Sequence, residues 1–253
     1  MARYIVIPAR YQSSRLPGKP LLDIAGKPMI QHVYERAMEA KSDGVIIATD
    51  DEKIANCASE FGAKVCLTSK LHQSGTERIS EVIDKLNFLD DDIVINIQGD
   101  EPLIPSAIIN QVAENLQQRK TLKMATLCEP IKTVEELFDL NINKVTMDAE
   151  GYAIYFSHAP IPWCRDEFSK VKKKLPEDFI YYRHIGIYAY RTGFVKQYVK
   201  WGSSPLEKIE VLEQLRVLWH GERIHVAVAK ESPGPGIDTK TDLELIRSEY
   251  KNK

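Results

Sequence analysis

Unbroken runs of aliphatic and β-branched residues recur along this chain, separated by amphipathic helix patterns, and that alternation restricts the fold more than any single motif. Gly44-Val-Ile-Ile-Ala48 and Ile93-Val-Ile-Asn-Ile97 lack the polar residue at every second position that a half-solvated strand carries. Strands of this kind are covered on both faces, as in a parallel sheet. Tyr4–Ile7 and Lys64–Leu67 are shorter runs of the same type. Between them, Pro28–Ala40 places Met29, Ile30, Val33, Tyr34, Ala37 and Met38 on one helical face, with Pro28 suited to the first helical position. Asp51–Phe61 reads as a helix stopped by Gly62, and Thr76–Leu86 and Pro105–Gln118 as two more. The pattern predicts an α/β fold with a doubly wound, mostly parallel (mixed) sheet, a Rossmann-like nucleotide-binding half, and ligands at the carboxyl ends of its strands.

The second half reads differently. Val145–Met147 and Ala153–Phe156 are two strands joined by the tight turn Asp148-Ala-Glu-Gly151. Pro160–Pro176, with its Lys-rich run, is an exposed excursion. Ile185–Tyr190 returns to strand, Leu206–Trp219 is a helix, Ile224–Ala229 is the last strand, and Asp238 or Thr239 caps a final helix over Lys240–Tyr250. No boundary frees a second domain, so residues 1–253 are read as one domain, about 1–130 and about 131–253 being its halves. A net charge of −2 argues against a nucleic-acid surface, and no apolar stretch reaches the ~20 residues of a membrane span. Cys57, Cys66, Cys128 and Cys164 are too scattered for a zinc or redox motif, which fits reduced thiols in a cytoplasmic protein.

The loop leaving the first strand, Pro8-Ala-Arg-Tyr-Gln-Ser-Ser-Arg-Leu-Pro-Gly-Lys-Pro-Leu21, carries Arg10, Arg15 and Lys19 among the small residues Ser13, Ser14 and Gly18. Cations and exposed amides at the end of a strand suit a polyphosphate. The competing reading is a solvated basic loop. Neither a Walker loop nor a dinucleotide glycine motif occurs in the chain. Asp100, after Ile97-Gln98-Gly99, opens at the same mouth and is a Mg²⁺ candidate; a turn aspartate is the alternative. Asp238 follows Pro233-Gly-Pro-Gly236 and is a second metal candidate, or a plain helix cap. Ser74 and Glu77 have capping-box spacing, with Arg78 one turn into the helix. Glu213 falls on a partly apolar flank, where either a substrate hydroxyl or Arg216 would satisfy it.

Six segments in series make the chain resemble the sugar-acid cytidylyltransferases, of the nucleotide-diphospho-sugar transferase type. They are the loop above, His72-Gln-Ser-Gly-Thr-Glu-Arg78, Gln98-Gly-Asp-Glu-Pro102, Arg183-His-Ile-Gly-Ile-Tyr188, Leu212-Glu-Gln-Leu-Arg216, and Val226–Ala229 followed by Gly236-Ile-Asp238. The resemblance implies transfer of CMP from CTP to a sugar acid with Mg²⁺ as cofactor, in a cytoplasmic homodimer serving lipopolysaccharide synthesis. 3-deoxy-D-manno-octulosonate is the default acceptor. An 8-amino analogue, another sugar acid, or a sugar 1-phosphate in a related nucleotidylyltransferase are the alternatives, and a non-catalytic nucleotide-binding protein is the reading from another class.

By the same resemblance Arg10, Ser13, Arg15, Lys19, Ser74 and Arg78 bind CTP, with Arg15, Lys19 and Asp100 catalytic. Gln98, His184, Tyr188, Glu213 and Gln214 face the sugar acid, and Asp100 and Asp238 hold the metal. One position departs from the family pattern: His158 stands where relatives read arginine after Phe-Ser. Arg165 is the residue expected to share the sugar-carboxylate contact.

Overall fold

The structure is a computed structural model that describes residues 1–12, 16–170 and 174–251. Its first half alternates strand and helix, with only a small separate hairpin (Asp23–Ile24 with Lys27–Pro28) before the first helix: β1 (Arg3–Ala9), α1 (Met29–Met38), β2 (Gly44–Thr49), α2 (Glu52–Glu60), β3 (Lys64–Leu67), α3 (Gly75–Lys85), β4 (Ile93–Asn96) and α4 (Ser106–Gln117). Then follow β5 (Met124–Pro130), α5 (Val134–Phe138), β6 (Lys144–Met147), β7 (Ala153–Ser157), α6 (Arg165–Phe168), β8 (Tyr182–Arg191) and α7 (Thr192–Tyr198). The chain closes with α8 (Pro205–Glu210), α9 (Leu215–Trp219), β9 (Ile224–Val228) and α10 (Lys240–Lys251).

Nine strands form one mixed sheet in the order β9-β5-β8-β4-β1-β2-β3, with β6 paired to β8 and to β7. Parallel pairing runs through β4, β1, β2 and β3, with Ile5 beside both Val45 and Ile95, and Ile47 beside Val65. β8 inserts antiparallel between β4 and β5, so the sheet continues unbroken from the first half into the second. Ile5, Ile7, Ile47 and Ile95 pack under α1, α2 and α4; Val6, Ile46, Ala48 and Val94 pack under α3 and α7. Both faces are covered, as the unbroken aliphatic runs require. The expected α/β, doubly wound fold is the one observed.

Local differences have physical causes. Pro28 is extended (ψ 146°) and precedes α1 instead of opening it. The helix read over Leu206–Trp219 is two helices, because Val211 adopts φ 55° between them. β5 and α7 carry no reading in the sequence analysis, although Met124-Ala-Thr-Leu-Cys128 is an apolar run fully buried between β8 and β9. Phe168 anchors the excursion in a small cluster with Ile131, Leu137 and Tyr181. Among the described residues, no helix is long and apolar enough to cross a membrane.

Candidate active site

β1 has β2 on one side and β4 on the other, and the crevice at that change of direction is where an α/β sheet receives ligands. The loops after β1 and β4 both open there. They can approach because residue 99 is glycine: a Cβ on Gly99 would stand 3.1 Å from the Pro8 carbonyl oxygen. Gly18, at φ 68°, donates its N–H to the Tyr11 carbonyl (3.0 Å) and turns the basic loop back toward the sheet. Lys19 follows and is largely buried.

The Lys19 ammonium donates to Asp100 Oδ2 at 2.6 Å and to Asp238 Oδ1 at 3.1 Å. Residues 138 positions apart in sequence meet here for two reasons. The Ile237 N–H donates to the Asp100 carbonyl (3.0 Å), and the Ile237 side chain is buried with Leu16, Ile24, Met29, Leu243 and Ile246. The cap of α10 is Thr239: its hydroxyl accepts from the Asp242 N–H (3.2 Å) while the Asp242 carboxylate accepts from the Thr239 N–H (2.7 Å). Asp238 is therefore not spent on capping and projects to Lys19. Sharing one nitrogen puts the two carboxylate oxygens at most about 6 Å apart, a span that a close pair of ions bridges and that a common ion would have to narrow to about 4.2 Å. A pair of hard oxygen donors already converging on a cation fits Mg²⁺, which needs one or two carboxylates plus substrate phosphates.

A cavity of about 680 Å³ runs from this cluster across the crevice. Arg10 lines it, donating through Nη1 to the Gln73 carbonyl at 3.3 Å. Arg78 lines it too but is fully buried, bonded to Asp50 Oδ2 (2.8 Å) and the Thr68 hydroxyl, with its Nε–H left without a partner. Ser74 caps α3 through the Glu77 N–H (3.2 Å) and does not line the cavity; Gly75 and Thr76 do. The expected reciprocal box is altered, since Glu77 accepts from the Gln73 N–H at 2.7 Å. Ser13 and Arg15 lie outside the described residues.

The other end of the cavity collects Gln98, His184, Tyr188, Glu213 and Gln214. Gln98 donates to the Gly186 carbonyl (3.1 Å) and lies so flat on Gly186 that any side chain there would overlap its amide. The Thr126 hydroxyl donates to the Ile187 carbonyl (2.7 Å), so it accepts from His184 Nε2–H at 2.9 Å and leaves Nδ1 as an acceptor. Burial raises the Tyr188 phenol well above its ordinary range, keeping it a neutral hydroxyl. Burial also pushes the Glu213 carboxyl up, partly offset by the Thr76 hydroxyl bond at 3.1 Å. The pairing of Glu213 with Arg216 does not form: Arg216 is engaged by Glu207 at 2.5 and 2.8 Å. The break at Val211 achieves this, and a β-branched residue at φ 55° is strain of the sort found at ligand sites.

Arg165 is held away, its side chain exposed and paired with Asp166 at 3.3 Å. His158 also lies outside the cavity, bonded to the Leu140 carbonyl. The sequence reading missed Thr76, Asn96, Asn143, Tyr190 and Tyr198, which all line the cavity. Asn96 alone had a local signal, as the one polar residue in the Ile93–Ile97 run.

His184 carries a pH prediction. Burial holds its imidazole at about 3, below the ordinary 6.5. The depressed value means that stability is full above pH about 6.5 and is lost as pH falls toward 3, because only the unfolded chain takes up the proton. Between pH 7 and pH 5 the ligand-free protein should lose up to about 2 kcal/mol through this group. Denaturant unfolding of His184→Asn at the two pH values should show that much less pH dependence, and an identical dependence would reject the assignment.

A switch-point crevice lined by phosphate-seeking cations at one end and hydroxyl-seeking polar groups at the other defines a nucleotidyltransferase. The chain belongs to the cytidylyltransferase family, whose family model matches residues 4–224. It is similar over its full length to the solved structure of CMP:2-keto-3-deoxy-manno-octonic acid synthetase complexed with CTP, at 41% identity and a TM-score of 0.91, covering 100% of this chain and 99% of that one. A cytidylyltransferase from Leptospira borgpetersenii serovar Hardjo-bovis (strain JB197) shares the fold at 18% identity and a TM-score of 0.65, covering 100% of this chain and 88% of that one.

Proposed function

We propose that this cytidylyltransferase moves CMP from CTP to 3-deoxy-D-manno-octulosonate, giving the CMP-sugar and pyrophosphate for lipopolysaccharide synthesis. The observation that carries the reading is the single cavity joining Arg10 and the Lys19–Asp100–Asp238 cluster to Glu213, Gln214 and His184. Likeness to the octonic acid synthetase over the whole chain supports the same acceptor.

In this reading the sugar's anomeric hydroxyl attacks the α-phosphorus of CTP in line, and pyrophosphate leaves. Arg10, Arg15 and Lys19 grip the phosphates, with Ser13 and Arg78 completing the nucleotide end, Ser74 holding the start of α3 beside it, and Arg15, Lys19 and Asp100 nearest the reacting atoms. Asp100 and Asp238 would hold Mg²⁺, which when bound would neutralise phosphate charge and make the attacking hydroxyl more acidic. Gln98, His184, Tyr188, Glu213 and Gln214 accept and donate hydrogen bonds to the sugar acid, orienting its hydroxyl. In this reading residues up to about 130 form mainly the nucleotide half and those beyond mainly the sugar and self-association half, with Gln98 and Asp238 each serving the site across that division. A homodimer is supported by the exposed apolar side chains Ile154, Trp163, Phe179 and Ile180 in the second half. The cytoplasm, where CTP is made, is the proposed location.

Purified protein with CTP, Mg²⁺ and a panel of sugar acids should release pyrophosphate, fastest with 3-deoxy-D-manno-octulosonate. Release only from uridine or thymidine triphosphate with sugar 1-phosphates would replace this reading with the related nucleotidylyltransferase. Silence with every pair would mean binding without catalysis.

A further inference from the structure

Asn143 borders the cavity beside His184 and Gly186, and its side-chain oxygen Oδ1 is buried with no hydrogen-bond partner. Buried polar atoms in folded proteins nearly always have partners, so an orphan acceptor on a residue that lines a ligand cavity is available to a ligand donor once its amide turns toward the cavity; Asn96 Oδ1 and Gln214 Nε2 on the same lining are orphaned too. Asn143 also borders a neighbouring cavity of about 490 Å³, and so stands at the junction of the two.

The surrounding chain holds this residue in place from several sides. The Asn143 carbonyl accepts from the His184 N–H at 2.8 Å. The next side chain, Lys144, is wholly buried, and its ammonium donates to the carbonyls of Asp139 (2.8 Å) and Ile142 (2.6 Å). His158 Nδ1 donates to the Leu140 carbonyl at 2.6 Å, and Glu210 in turn accepts from the His158 N–H (3.0 Å) and the Ser157 hydroxyl (2.6 Å). Residues 139–143 are therefore a braced loop, and a braced acceptor discriminates better than a mobile one, because an analogue without the matching donor leaves it unpaired.

We propose that Asn143 is a specificity-determining residue whose side-chain carbonyl accepts from a hydroxyl or amino group on the exocyclic carbons of the sugar acid, with His158 a positioning residue acting through the 139–143 loop. This rests on the sugar-acid reading above. It gives His158 a role without contact: at a distance from the substrate, it sets where Leu140, and with it Asn143, stands.

The test is steady-state pyrophosphate release by wild type, Asn143→Val and His158→Arg. The acceptors are the octulosonate and analogues in which one exocyclic hydroxyl at a time is replaced by hydrogen or by an amine. Asn143→Val should lower kcat/KM for the preferred acceptor about tenfold, leave the KM for CTP within about twofold, and erase the penalty for one particular deoxy analogue. Whether the hydroxyl or the amine at that carbon gives wild type the higher kcat/KM identifies the donor. His158→Arg should change the ranking of the analogues, again without moving the KM for CTP. CTP-dependent thermal stabilisation checks that each variant is folded, and His158→Arg decides the matter if Asn143→Val is not. Unchanged rankings in the folded variants, or equal damage to CTP and sugar use, would overturn the proposal. Wild type inactive with every sugar acid would instead remove the underlying functional reading, and this proposal with it.

Discussion

Asp100→Asn and Asp238→Asn should each cut kcat at saturating CTP by roughly a hundredfold or more, and each should raise the Mg²⁺ concentration that gives half-maximal rate. A metal ion at the phosphates contributes several kcal/mol of charge stabilisation in the transition state, and each 1.36 kcal/mol is about tenfold in rate. Both carboxylates face one ammonium, at 2.6 and 3.1 Å, so they belong to one cluster and their losses should not add. The double variant is expected to be little slower than the worse single one. Multiplicative losses, or an unaltered Mg²⁺ requirement, would separate Asp238 from the site and leave it a residue of the α10 approach.

The second large effect is expected at Lys19. Lys19→Met removes a charge-assisted phosphate contact, which typically costs about 1.5–3 kcal/mol, so CTP affinity by calorimetry should fall roughly ten- to a hundredfold. The same change removes the ammonium that the two carboxylates share, so that part of the attraction holding them together is lost. The ligand-free variant should therefore melt below wild type at pH 7, and added Mg²⁺ should raise its melting temperature more than it raises that of wild type. This readout needs no turnover. Wild-type CTP affinity together with an unmoved melting response to Mg²⁺ would remove Lys19 from both roles.

How far the chain can be read without coordinates follows from the range of the interactions involved. The aliphatic strands were legible because burial on both faces is written into each run of residues, and Gly44–Ala48 and Ile93–Ile97 became β2 and β4 nearly residue for residue. Lys19, Asp100, Gln98, Glu213 and Gln214 were legible through the motif resemblance, and the fold brings all of them to one cavity. The helix across Leu206–Trp219 was read as continuous because its apolar period continues through Val211. The backbone turns there because more distant groups outweigh local propensity: Arg216 reaches back to Glu207, and Glu213 meets Thr76 of α3, 137 residues earlier. Choosing between Thr239 and Asp238 as the cap of α10 likewise depended on Asp242 and on Ile237 binding the Asp100 carbonyl.

Asn143 had no signal at all, since an asparagine beside a strand is ordinary until its acceptor is seen buried and unpartnered. By itself, then, the sequence determined the main strands and helices of the first half and their doubly wound character, and the chemical character of the loops at its mouth, all properties of contiguous residues. Only the tertiary structure decided which distant side chains share an atom: Asp100 with Asp238 across Lys19, Thr76 with Glu213, and the braced loop that presents Asn143. Those choices are made by packing and hydrogen-bond satisfaction between segments far apart in sequence, and no local pattern encodes them.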